Sequence, residues 1–209
     1  TRFRWVSWAR RCVLETASWT FPLAFNVNYD YTDGLSQSNI SSLMGKEVND
    51  LVKPTGTVDN KSDYAYIFEP HEYYTQAAIY KILDNGLRVK TATRSFIMDG
   101  KNYDYGTYLI PVQNQELNSD EIYELLNELS VEYSIHIESK STGITDGIDF
   151  GSNDFAIVEQ PKIGLIVGEG VRNYDAGEVW HLLDSRYDIP ITKLDIGDLH
   201  FIELNNYSH

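Results

Sequence analysis

Residues 161–196 read PKIGLIVGEGVRNYDAGEVWHLLDSRYDIPITKLDI, and the order of elements in them decides the fold class. Pro161 precedes an apolar run of strand length, Ile163–Val167. Gly168-Glu169-Gly170 follows, and then Asp175 with Glu178 three residues on, the spacing of a capping box at a helix start. That helix is expected to bury Val179, Leu182, Leu183 and Tyr187 before Asp188-Ile189-Pro190 stops it. Ile191–Ile196 is the next strand. Strand, glycine loop, helix and strand in this order make a βαβ unit.

The same rhythm extends upstream. Tyr64–Phe68 reads as a short buried strand, and Glu72–Asp84 carries Ala78, Ile79, Ile82 and Leu83 at helical spacing up to an Asn85-Gly86 stop. Leu87–Thr91 and Gly106–Val112 are further strands, with a turn at Asp99-Gly100 between them. Ser119 is the expected N-cap of a helix with Ile122, Leu125, Leu126 and Leu129 on one stripe, and Ser134–Glu138 follows as a strand. The pattern predicts an α/β fold with a mostly parallel, layered sheet. A single βαβ cannot cover both faces of its own sheet. The unit opened at residue 161 therefore either completes the first sheet or is itself incomplete.

Five segments result. Residues 1–31 hold a basic head and an alternating strand, Ala17–Tyr31; residues 32–62 are a polar linker with a short helix near Ile40–Met44. Residues 63–141 form the first α/β unit, 142–160 an acidic loop rich in Gly, Asp and Ser, and 161–209 the start of the second unit.

The chain has 209 residues, 42% hydrophobic and 23% charged, which is a globular composition long enough for a sizeable core. Its net charge is -14, from 17 Lys+Arg against 31 Asp+Glu, so nucleic acid and anionic membranes are disfavoured partners. No run of 18 apolar residues predicts membrane insertion, and no signal peptide opens the sequence. Arg2, Arg4, Arg10 and Arg11 against Glu15 give the first fifteen residues a balance of +3, leaving -17 for the rest. That head, with Trp5 and Trp8, reads as a stretch foreign to the fold. Cys12 is the one cysteine, so neither an internal disulfide nor a cysteine-type zinc site can be built.

Two blocks carry a family resemblance: Ala17-Ser-Trp-Thr-Phe-Pro-Leu-Ala-Phe-Asn26, and the run from Pro161 through Gly170, Tyr174–Asp184 and Tyr187–Pro190. Over about residues 15–204 the chain resembles the C-terminal, non-peptidase region of bacterial zinc carboxypeptidase-like proteins of the carboxypeptidase A type, common in Bacteroidetes. The resemblance implies a segment similar to class I glutamine amidotransferases, with a flavodoxin-like fold. It also implies an upstream peptidase domain as partner, zinc held there and not in this chain, and a secreted or periplasmic parent. The family's H-x-x-E zinc pair is missing: His71 is followed by Tyr74 at the Glu position, and His136 has Glu138 two residues on. His181 with Asp184 is the nearest match in spacing, and a solvated helix face containing Glu178 accounts for it as well. The amidotransferase nucleophile is also missing, because Cys12 precedes every α/β unit. No catalytic set and no metal site is therefore assigned to this chain.

One ligand loop remains a candidate. Gly168, Glu169 and Gly170 lie between a strand's carboxyl end and a helix start, where doubly wound sheets bind ligands, and Arg172 and Asn173 could add donors. Glu169 argues against phosphate there. Asp146, Asp149 and Asp154 lack the EF-hand order and read as a solvated acidic loop. Tyr64, Tyr66, Tyr73, Tyr74, Tyr80, Tyr103, Tyr105 and Tyr108 suit sheet packing, or a carbohydrate, peptide or domain contact. The expected function is an accessory, non-catalytic region that packs on or modulates the peptidase domain. The alternatives are a stand-alone flavodoxin-like small-molecule binding module using the glycine loop, and a hydrolase with an unrecognised acid–base pair.

Overall fold

The computed structural model describes Gly45 and residues 54–209. The expected strand Ala17–Tyr31, the short helix near Ile40–Met44, the basic head and Cys12 lie outside the described residues. In chain order come β1 (Thr57–Val58), β2 (Ala65–Phe68), α1 (Thr75–Asp84), β3 (Val89–Ala92), β4 (Phe96–Met98) and β5 (Lys101–Tyr103). Then follow β6 (Tyr108–Pro111), α2 (Ser119–Tyr133), β7 (His136–Lys140), β8 (Phe155–Val158), β9 (Ile163–Val167), α3 (Asn173–Trp180) and β10 (Ile191–Asp195).

The mixed α/β architecture holds, but the main sheet differs from the expected one. Its strand order is β1-β7-β2-β6-β3-β8. β2 runs antiparallel to β6 and β7, and β3 runs antiparallel to β6 and β8. Among the described residues parallel pairing is confined to β1 with β7 and to the separate pair β9 with β10. The mostly parallel sheet expected for residues 63–141 is therefore corrected to a mainly antiparallel one. The reason is topological: α1 joins β2 to β3 as in a βαβ unit, yet β6 inserts between those strands and opposes both. The order β7-β2-β6-β3, with β-α-β-β-α-β connectivity, is the split βαβ arrangement of ferredoxin-like sheets.

Strand alternation gives this sheet two apolar faces. Tyr66, Phe68, Val89, Ile110 and Ile137 pack on one side against Ala78 and Ile82 of α1 and Ile122, Leu126 and Leu129 of α2. Ala65, Ile67, Ala92 and Leu109 point to the other side, where Phe96, Met98 and Tyr103 of the β4–β5 hairpin cover them together with Ile148, Phe150 and Phe155. The hairpin turns at Asp99-Gly100 with φ of 54° and 78°, the paired left-handed backbone of a tight I′-like turn. Residues 142–160, expected as a loop, thus also supply core side chains and the edge strand β8.

Local signals place the helix ends. Asn118, one residue before the expected Ser119, caps α2: its Oδ1 accepts from Asp120 N and Glu121 N at 3.0 and 3.1 Å, while Glu121 accepts from Asn118 N. After α1, Leu87 N donates to Ile82 O and Gly86 N to Leu83 O, a Schellman closure around Gly86 at φ 80°.

The βαβ at the C-terminal end behaves differently. Among residues 159–209 only Ile189 and Leu194 are buried, and α3 buries none. The expected inward residues Val179 and Leu182 are 42% and 40% exposed, which corrects that reading. Two strands offer too narrow a surface to cover the helix. Tyr187 alone of the four packs on the first core, in edge contacts with Tyr73 and Tyr74 at 5.8 and 6.2 Å. Lys81 pairs with Asp188, and Arg186 donates to the Tyr73 hydroxyl, fastening this end of the unit to α1 and the turn before it. The expected Asp175 cap is corrected as well: Arg172 is the N-cap, without a side-chain bond, and Asp175 lies inside the first turn.

Candidate functional site

The glycine loop follows the carboxyl end of β9. Gly168 and Gly170 have φ of 109° and 89°, which β-carbon-bearing residues rarely adopt, and Val171 N closes the turn on Gly168 O. Beside the loop lies a cavity of about 190 Å³ lined by Leu165, Val167, Gly168, Asn173, Trp180 and Lys193 among others. Of the predicted residues, Gly168 and Asn173 reach this cavity. Glu169, Gly170 and Arg172 are exposed and do not line it.

Charge limits what the loop can accept. The carboxylate of Asp195, at the end of β10, lies so close that a β-carbon on Gly168 would stand 3.0 Å from its Oδ1. Asp195 Oδ1 accepts from Gly197 N, and Glu169 adds a second carboxylate to the loop. Two carboxylates so near repel phosphate. The floor is apolar, and the Lys193 ammonium sits 4.7 Å from the centre of the Trp180 ring, a cation–π contact. This geometry suits a small apolar group better than an anion.

No family model matches the chain. No curated protein and no solved structure matches it significantly either.

A network of strongly perturbed titratable groups lies elsewhere, where β7 meets the β4–β5 hairpin. Glu138 accepts from Lys101 Nζ at 2.6 Å, from the Tyr103 hydroxyl at 2.6 Å and from Lys140 Nζ at 3.1 Å. Lys101 also pairs with Glu69 at 2.8 Å, and Lys140 with Asp99 at 3.2 Å. Burial pushes the Glu138 carboxyl up, but the three donors outweigh it and hold it at about 2. Burial pulls Lys140 down, and Tyr103, Glu138 and Asp99 more than reverse this, so the amine ends above its ordinary value. Burial, and then the Glu138 carboxylate, raises Tyr103. A carboxyl at about 2 and an amine above its usual range are poor proton carriers near neutral pH. Here the network clamps the hairpin to the sheet.

The remaining predicted groups stay apart. His181 and Asp184 are exposed in the π-helical turn after α3, and among the described residues no three His, Cys, Asp or Glu side chains converge as a metal site would require. Asp149 accepts from Thr145 N, Asp154 meets Arg94 at 3.4 Å, and the backbone of Asp146 pairs with Ile97. Each shapes a turn. The tyrosines divide: Tyr66 and Tyr103 are fully buried, whereas Tyr105 is 69% exposed.

A second cleft opens on the sheet face turned away from the helices. Arg88 and Lys90 share a strand face with Leu109 and Pro111, next to Tyr64 and Phe150, around a space of about 300 Å³. The period-2 pattern of Leu87–Thr91 already places the two cations on one side. Their apolar neighbours come from distant segments and are not visible locally.

Proposed function

We propose that this chain is an accessory, non-catalytic region of a zinc carboxypeptidase-like protein, secreted or periplasmic with its parent, whose work is to pack on the peptidase domain. Zinc and the peptidase chemistry belong to that domain. The observation that carries the reading is that the C-terminal βαβ and the turns after it leave many large apolar side chains uncovered. Ile166, Val179, Leu182, Ile196 and Leu204 are each 40% or more exposed, and Phe201 is 89% exposed. Apolar side chains left uncovered in this number, beside a core of buried ones, suit a region that packs against a partner. The two sequence blocks that resemble the carboxypeptidase-like family supply the partner. A flavodoxin-like or amidotransferase-like layering of residues 161–209 belongs to the same proposal, with the parallel pair β9–β10 and α3 as its first elements.

Calorimetry between the chain and the separately produced peptidase domain of the same parent tests this. Saturable binding that Leu182→Ser and Phe201→Ser together weaken at least about tenfold is expected. Binding indifferent to both changes, or zinc-dependent turnover of a carboxypeptidase substrate by the chain alone, sinks the proposal.

A second reading, a small-molecule binding module, rests on the cavity between the glycine loop and Trp180. It expects a ligand-dependent melting shift that Gly177→Leu abolishes by filling the space, since a β-carbon at Gly177 meets no atom within 4 Å.

A further inference from the structure

The sheet face turned away from the helices carries charges at both of its sides, and only one side is neutralised. Registers across the strands align Glu138, Ile67, Leu109, Lys90 and Ile157 in a single row. At the β7 side Glu138 and Lys140 answer each other beneath the hairpin. At the β3 side Lys90 is half-buried, and among the described residues its ammonium makes no ion pair or hydrogen bond. Arg88 lies two residues earlier on the same face. One of its guanidinium nitrogens donates to Gln113 O at 2.9 Å, which holds the group in place and leaves its other donors available. Among the described residues no carboxylate lines this cleft, in a chain with 31 Asp+Glu against 17 Lys+Arg.

The rest of the lining is mostly apolar and aromatic, with Gln113 and Asn114 as its uncharged polar members. Ala65, Leu109 and Pro111 form the floor, and Phe150 with Tyr64 forms a wall whose rings lie 6.5 Å apart and 20° from parallel. Ile157, directly across from Lys90, is 73% exposed. A space of about 300 Å³ is at the small end of ligand pockets.

We propose that this cleft is a binding site for a small aromatic monocarboxylate, with the carboxylate between Arg88 and Lys90 and the ring against Phe150 and Leu109. A guanidinium fork and an ammonium are a fitting pair of donors for one carboxylate. The floor residues stand on paired strands, so their backbone is taken up by the sheet and does not cradle a phosphate.

Phenylacetate titrated into the full chain, followed by amide NMR shifts and calorimetry, tests the site. Saturable shifts confined to residues 88–90, 109–114 and 150–157 are expected. Phenylacetamide and inorganic phosphate should each bind at least about tenfold more weakly. Lys90→Met, which keeps the aliphatic stem, should also weaken phenylacetate about tenfold while leaving the melting curve in place. Should Lys90→Met lower the melting curve, Arg88→Gln, at an exposed position, serves as the second variant with the same expected loss. Equal binding of phenylacetamide, equal binding of phosphate, shifts located at another surface, or undiminished binding by the folded variants would each overturn the assignment. None of these outcomes depends on contact with a peptidase domain.

Discussion

Helices α2 and α3 both follow a strand or loop, both carry regularly spaced apolar residues, and both lead into a strand. α2 buries Ile122, Leu126, Leu129, Ser130 and Tyr133, whereas α3 buries nothing. The difference lies in what each helix meets. α2 packs beside α1 on a six-stranded sheet whose other face is covered in turn, so its stripe is shielded by two layers. α3 has two strands beneath it. An apolar stripe states that a helix wants a partner; the width of the sheet decides whether the partner lies within the unit.

This contrast sets an order of expected effects. The largest belongs to Gly56, where a β-carbon would stand 1.8 Å from Ser130 O at the end of α2. Backbone cannot retreat as a side chain can, so Gly56→Ala should cost about 3 kcal/mol or more in urea unfolding. A neutral result would mean that the packing of β1 on α2 is loose, and the contrast between the two regions would weaken.

Glu138→Gln should cost about 2 kcal/mol at neutral pH, because Lys140 and Lys101 lose a shared counterion in a half-covered site. The acid dependence has a definite sign. The folded carboxyl sits at about 2 against its ordinary 4.5, so its stabilisation is fully present above 4.5 and fades as pH falls toward 2. Melting curves of the parent chain and the variant should converge across that window. A gap that stays constant from pH 7 to pH 2 would remove the clamp from the account.

Leu182→Ala is the smallest. In the isolated chain it should change stability by no more than about 0.5 kcal/mol, since the side chain is already 40% exposed. A cost of 2 kcal/mol or more, on the order expected for a core leucine, would show that the βαβ buries its helix after all.

Much of this fold was legible in local sequence, and the limits have physical causes. β9 was bounded correctly because five residues of strand character stand between Lys162 and Gly168. The Asp99-Gly100 turn was legible, yet its hairpin was not, since strands of three residues carry too little alternation. Whether β2 and β3 are neighbours depends on where β6 goes, which no local period records. Glu138 meets Lys101 and Tyr103 across 37 and 35 residues, so its network could not be inferred from spacing. At the glycine loop the turn was legible, but the helix begins two residues before the expected Asp175, and the Asp195 carboxylate that sets the loop's charge arrives from the next strand.

Native-state hydrogen exchange on the chain, alone and with the peptidase domain of its parent, tests the uneven burial and its purpose together. In the free chain, amides of β9 and α3 should exchange well before those of β2, β6 and α2, because few buried contacts restrain their opening. Added peptidase domain should slow exchange in β9, α3 and residues 196–204 and leave the six-stranded sheet unchanged. Uniform protection in the free chain, or no slowing on addition of that domain, would contradict the account.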